Sequence, residues 1–265
     1  MTNIFSFSFF KTSLLCASLA LAGCSTSPTG RGQVIMFSDT EMTQLGTQSF
    51  EEMKKQEKIS LDKKTNQYVA CVTNAITKQL PPQNSFQHWE VVVFDSKQVN
   101  AFALPGGKIG VYTGLLKVAE NQDQLATVIG HEIAHVLANH SNERLSQSQI
   151  TNLGLQLSSA ALSGSEYHSM AMAGLGLGAQ VGILLPYGRT QESESDILGL
   201  ELMAKAGFNP NESIKLWQNM AKAADGAQPP ELLSTHPSHS TRIKDLQNKI
   251  NKLPKYQTNK PNCKA

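Results

Sequence analysis

The segment His131-Glu132-Ile133-Ala134-His135 is where residue type and spacing point most directly to chemistry. On a helix, residues four apart project from one face, so both imidazoles can converge on a single ion. Zinc accepts neutral imidazole nitrogens in a tetrahedral shell and, in catalytic sites, keeps one position for water. Glu132 stands beside the first ligand, where its carboxylate can reach that water. The metal lowers the water's pKa and polarises a peptide carbonyl, and the glutamate takes the proton. The motif therefore spells metal-assisted peptide hydrolysis.

Two histidines do not complete a zinc shell. A three-histidine arrangement of the metzincin kind needs glycine at 138 and histidine at 141, where Ala138 and Ser141 stand. His140 lies about half a turn around the helix from His131, which points it away from the site. A downstream carboxylate is then required. Gln191-Glu192-Ser193-Glu194-Ser195-Asp196 is the densest acidic candidate. Glu192 and Asp196, four apart on a predicted helix, share a face, whereas Glu194 points elsewhere. One carboxylate of that pair can bind zinc while the other orients a ligating histidine.

The elements that position these groups follow from periodicity. Two amphipathic helices are predicted first, Glu41 to Lys58 and Leu61 to Leu80, the second stopped by Pro81-Pro82. A change of period then gives three strands. Trp89 to Phe94 is followed by Ala101 to Leu104, a turn at Pro105-Gly106-Gly107, and Lys108 to Tyr112. The metal helix is expected from an Asn121 N-cap to His140, with Leu125, Ile129, Ile133 and Leu137 as its buried stripe. Leu153 to Leu185, rich in Ala, Gly, Leu and Met, reads as a buried helix or a mobile flap over the site rather than a membrane span. Helices over Thr190 to Lys205 (capped by Gly207), from Asn209-Pro210 to about Ala224, and Ser240 to Lys252 complete the chain. Helices around a small sheet make the class α+β, mainly α.

Bulk properties set the frame. The 265 residues are 40% hydrophobic and carry a net charge of +2 with no long basic run, which gives no footprint for nucleic acid. Residues 1–23 hold a short apolar run, Leu14 to Leu21, and end in Leu21-Ala22-Gly23 before Cys24. That pattern resembles a lipoprotein signal peptide cleaved at a lipidated Cys24. Ser25, in place of an inner-membrane retention aspartate, points to an outer-membrane anchor with the domain in the periplasm. Residues 24–40 are expected to be a lipidated, flexible tether, 41–253 the catalytic domain and 254–265 a polar tail. Of the four cysteines, Cys71 and Cys263 remain after processing; spacing leaves a disulfide between them open.

These segments together resemble the HtpX, Oma-type and CAAX-prenyl-protease family of zinc peptidases. The likeness rests on His131 to Val136, Arg189 with Glu192 to Asp196, Asn100 to Gly107 with Val111 to Leu116, and Thr235-His236-Pro237 with Arg242-Ile243. It covers roughly Leu61 to Asn251 and is nearest to the periplasmic, lipid-anchored LoiP-type branch. The resemblance implies a gluzincin-like fold and one zinc per chain held by His131, His135 and Glu192, with Glu132 as catalytic base. Asp196 then serves either as proton donor or as orienter of a ligand. Ser195 stands where the family usually has alanine. His236 and Arg242 are candidates for a transition-state or regulatory role; His236 equally suits a turn before Pro237. Ala101, Phe102 and Ala103 are a candidate edge strand for an extended substrate. The implied activity is endopeptidase cleavage of unfolded or misassembled envelope proteins. The alternative is a zinc-stabilised chaperone or assembly factor with weak or gated proteolysis.

Overall fold

The structure, a computed structural model, describes residues 24–81, 89–180, 184–223, 239–256 and 259–264. The expected signal segment 1–23 and the Thr235-His236-Pro237 element lie outside the described residues. Five strands and eight helices are described. A short antiparallel hairpin, β1 (Cys24–Thr26) and β2 (Gly32–Val34), precedes α1 (Asp39–Gln56) and α2 (Lys63–Thr77). Next come β3 (Glu90–Phe94), β4 (Ala101–Leu104) and β5 (Lys108–Tyr112). The remaining helices are α3 (Gln122–Leu137), α4 (His140–Ala161), α5 (His168–Ala179), α6 (Leu185–Lys205), α7 (Glu212–Ala223) and α8 (His239–Ile250). The chain is α+β and mainly α.

Local chemistry explains most boundaries. Ser38 and Glu41 form a capping box at the start of α1, and Asp62 accepts from the Lys64 and Thr65 amides at the start of α2. Asn121 caps α3 through the amides of Asp123 and Gln124. At the end of α6, Gly207 takes φ +87°, and the Phe208 and Gly207 amides reach back to the Met203 and Ala204 carbonyls. That is a Schellman stop of the kind a glycine at this position permits.

The three-stranded sheet runs β3-β5-β4, parallel between β3 and β5 and antiparallel between β4 and β5. Both faces are covered. Val93, Ile109 and Val111 join the main core with Val69, Val72 and Ile76 of α2 and Leu125, Ile129 and Ile133 of α3. On the other face, Phe94 and Tyr112 pack with Phe50 of α1, beside the ring of Phe102. The central helix α3 is thus fixed on one side by sheet and α2, and on the other by α6.

The contact between α3 and α6 is the most extensive between helices. Gly130 and Gly199 meet there backbone to backbone. A Cβ on Gly130 would fall 2.8 Å from the Gly199 carbonyl oxygen, and one on Gly199 would fall 2.6 Å from the His131 nitrogen. Only two glycines allow this approach, and it happens one residue from the metal motif.

Four expectations change. The metal helix does not continue to His140: α3 ends at Leu137, and Asn139 adopts a left-handed φ of 54° before α4 starts. Residues 24–34 are not a loose tether, because Arg31 and Gln33 bond to Glu143, Glu194 and the Ala138 carbonyl. Leu153 to Leu185 is not a buried helix; α4 and α5 form a pair whose Leu153, Leu157, Met170 and Leu177 are exposed. Among the described residues no helix is long and apolar enough to cross a membrane. Finally, the polar tail is stitched down. Cys263 is disulfide-bonded to Cys71 of α2, its amide donates to Gln122, and Lys260 pairs with Asp123.

Two measurements follow from this packing. Gly199→Ala should cost about 1–3 kcal/mol by overpacking and lower the urea midpoint without changing the slope. Cys263→Ser should cost about 2–5 kcal/mol in the same assay, since it opens a long covalent loop.

Candidate metal centre

The residues that converge come from the two helices in glycine contact. His131 and His135 sit on the face of α3 turned to α6, and Glu192, two turns before Gly199, sits on the face of α6 turned back. The Nε2 atoms of His131 and His135 are 3.1 Å apart. Glu192 places Oε2 at 3.3 Å from His131 Nε2 and Oε1 at 3.3 Å from His135 Nε2. One ligand atom from each of the three lies within 4.8 Å of the others. Two imidazole nitrogens and one carboxylate are a donor set that zinc takes in catalytic sites, with a further position open. The residues fit the ion.

The electrostatics favour positive charge at this point. Burial works against protonation of His131, but hydrogen bonds to Asp196 and Glu192 outweigh it and raise its pKa to about 9. Burial instead pushes His135 down to about 3. Glu132, next to His131 on α3, is partly exposed; desolvation lifts its carboxyl to about 7, and the Ala103 amide donates to it. A group with that pKa can take and return a proton near neutral pH.

Each histidine is backed on its far side. Behind His131, Asp196 places Oδ1 at 3.0 Å from Nδ1. Arg242 of α8 clamps Asp196, donating from Nε to Oδ2 at 2.8 Å and from Nη2 to Oδ1. Its guanidinium also lies 3.5 Å over the Trp217 ring. Asp196 therefore contacts the nitrogen of His131 that faces away from Glu192, the position of an orienting group. Its carboxyl is held below the usual range: burial would raise it, and Arg242 and His131 overcome that.

The expectation for His140 is overturned. It does not point away. The left-handed turn at Asn139 ends α3 and swings His140 back, leaving its Nδ1 at 2.9 Å from His135 Nδ1. Glu194 does point away from the three ligand atoms, but into this network, 3.1 Å from His140 Nε2. Ser195 joins the same network, its Oγ 3.2 Å from His140 Nδ1. Sequence reasoning missed Arg31, which bridges Glu143 and Glu194, and Arg144, 3.4 Å from Glu192. No periodic signal marks either arginine; only their partners in the acidic segment hinted at a need for cations.

Of the other candidates, Ala101, Phe102 and Ala103 lie on β4, at the edge of the sheet and against α3. The Tyr112 amide donates to the Asn100 carbonyl. Antiparallel alternation therefore turns the Ala101 and Ala103 main-chain groups away from β5, on the side where the Ala103 amide meets Glu132 of α3. Cys24 opens β1, its backbone paired in register with Val34. His236 is outside the described residues.

Residues 63–250 match peptidase family M48. The chain belongs to that family. Its likeness to individual proteins is consistent with this. It is 38% identical over 161 residues to the mitochondrial metalloendopeptidase OMA1 of Schizosaccharomyces pombe, covering 60% of this chain and 46% of that one. It is 31% identical over 232 residues to the mitochondrial metalloendopeptidase OMA1 of Homo sapiens, covering 82% and 44%. It is 28% identical over 226 residues to the beta-barrel assembly-enhancing protease of Yersinia pestis, covering 83% and 46%. The chain spans less than half the length of each. Members of the M48 family are zinc-dependent, in keeping with the donor set described.

Asp196→Asn should weaken zinc binding about 10–100-fold, as loss of an orienting carboxylate does. Competition with a chromophoric chelator measures it, and an unchanged affinity would count against the orienting role.

Proposed function

We propose that this chain is a zinc-dependent endopeptidase of the bacterial cell envelope. His131, His135 and Glu192 hold one zinc, Glu132 is the catalytic base, and Asp196 orients His131. The observation that carries the reading is the convergence of His131, His135 and Glu192 from two helices beside the partly exposed Glu132. Zinc held there supplies Lewis acidity, which makes a water acidic near neutral pH and polarises a carbonyl oxygen.

The protein's own groups do the rest. Glu132 receives the proton of the attacking water and can return it to the leaving amine, a shuttle suited to a carboxyl lifted to about 7 by desolvation. Asp196, pinned by Arg242, keeps the lone pair of His131 on Nε2. The outward main-chain groups of Ala101 and the Ala103 carbonyl pair with an extended polypeptide and lay its scissile bond alongside Glu132. Such pairing uses backbone alone, so it suits unfolded or misassembled proteins of varied sequence.

The envelope setting rests on the sequence around Cys24. Lipidation there would tether the domain to the outer membrane, facing the periplasm. The beta-barrel assembly-enhancing protease is a relative consistent with such a place, whereas the OMA1 relatives are mitochondrial. Metabolic labelling with a palmitate analogue tests it: label should enter the parent and be absent from Cys24→Ala.

Casein cleavage by the purified protein tests the activity. Chelation should abolish cleavage and zinc restore it. Glu132→Gln should retain zinc and lose roughly 10²–10⁴-fold in rate, the usual worth of a general base. Cleavage that survives both treatments would sink the mechanism. A zinc-loaded protein inert in every state would favour the chaperone reading instead.

A further inference from the structure

The second histidine of the centre is backed by polar contacts that the peptidase reading leaves unused. His135 turns Nε2 toward His131 and Glu192 and Nδ1 toward His140. His140 is 1% exposed and turns its Nε2 to Glu194. A carboxylate only accepts, so His140 Nε2 carries the proton and donates to Glu194. His140 Nδ1 is then an acceptor facing His135 Nδ1 at 2.9 Å and the Ser195 hydroxyl at 3.2 Å, and the nearer donor is the Nδ1–H of His135. That leaves the lone pair of His135 on Nε2, the nitrogen that faces Glu192.

Glu194 is itself held from outside the helix pair. Thr29 Oγ1 donates to its Oε1 at 2.6 Å, and Arg31 donates to Oε2 from Nε at 3.1 Å and Nη2 at 3.0 Å. Arg31 is braced in turn by Glu143, through two bonds of 2.6 and 2.8 Å. Both donors lie in the turn between β1 and β2, a few residues after Cys24. Without Arg31, Glu143 and Glu194 lose their shared counter-charge, and Glu194 no longer has a reason to stay on His140.

We propose that His140 is a positioning residue for His135, and that the N-terminal hairpin, through Arg31 and Thr29 on Glu194, is a structural part of the metal centre that sets how tightly zinc is held. The inference rests on His131, His135 and Glu192 being the zinc ligands.

The test measures zinc affinity of the full chain by chelator competition. The visible spectrum of the cobalt(II) form and the melting temperature of the metal-free protein are recorded beside it. His140→Leu should weaken zinc about 10–100-fold and shift the cobalt bands. His140→Gln should recover most of that loss, because its amide oxygen can accept from His135 while its amide N–H faces Glu194. The double variant Thr29→Val/Arg31→Gln should weaken zinc about tenfold and add little to His140→Leu, since both act through one contact. A role limited to packing lowers the melting temperature and leaves affinity and spectrum as in the parent; that outcome overturns the proposal. If His140→Leu fails to fold, parent-like affinity in the hairpin variant overturns it equally. A parent protein that takes up no stoichiometric zinc overturns the ligand assignment itself, and is distinguishable from both.

Discussion

The metal centre depends on two glycines that touch. Helices packed through ordinary side chains keep their axes about 8–10 Å apart. Gly130 and Gly199 remove the side chains at the crossing and let α3 and α6 meet through their backbones. With the helices that close, a short glutamate on one can share a point with two histidines on the other. The i, i+4, i+7 run of Glu192, Asp196 and Gly199 then places the carboxylate facing both histidines, the carboxylate behind His131 and the contact glycine along one stripe of α6. Ligand geometry is here a consequence of helix packing.

That closeness buries charge, and the fold answers with arginines from distant parts of the chain. Asp196 and Glu194 are both nearly inaccessible. A buried carboxylate without a partner is costly, several kcal/mol in order of magnitude. Arg242 reaches Asp196 from α8, and Arg31 reaches Glu194 from the N-terminal hairpin. The two flanks are alike: histidine, carboxylate, arginine on one side, and the same order with His140 interposed on the other. The centre is therefore held by elements from both ends of the chain, and its stability cannot be assigned to α3 and α6 alone.

Much of this was legible in residue order. The helical stripe of Leu125, Ile129 and Ile133, the Asn121 cap, the Gly207 stop and the strand-turn-strand around Pro105 each carry local signals, and each is present. Glu192 and Asp196 were readable as a pair because four residues on a helix share a face. The break at Asn139 was not readable, since a left-handed asparagine leaves no trace in hydrophobic periodicity. Extrapolating an unbroken helix therefore turned His140 the wrong way. The hairpin was missed for a related reason: three-residue strands, Cys-Ser-Thr and Gly-Gln-Val, are too short to show alternation, and the turn between them is held by ion pairs to residues more than a hundred positions away. The disulfide was undecidable because proximity between α2 and the tail is a tertiary fact.

One consequence of the docked hairpin concerns reach. A flexible tether of residues 24–40 would let a domain wander on the order of 20 Å around its attachment point. Here Cys24 already has its backbone paired to Val34. That pairing, with the bonds from Arg31 to Glu143 and Glu194, takes up the slack such a segment would have. Hairpin and helix pair therefore move as one piece, so a pull on residues 24–34 is felt at Glu194 and His140 rather than absorbed by loose chain.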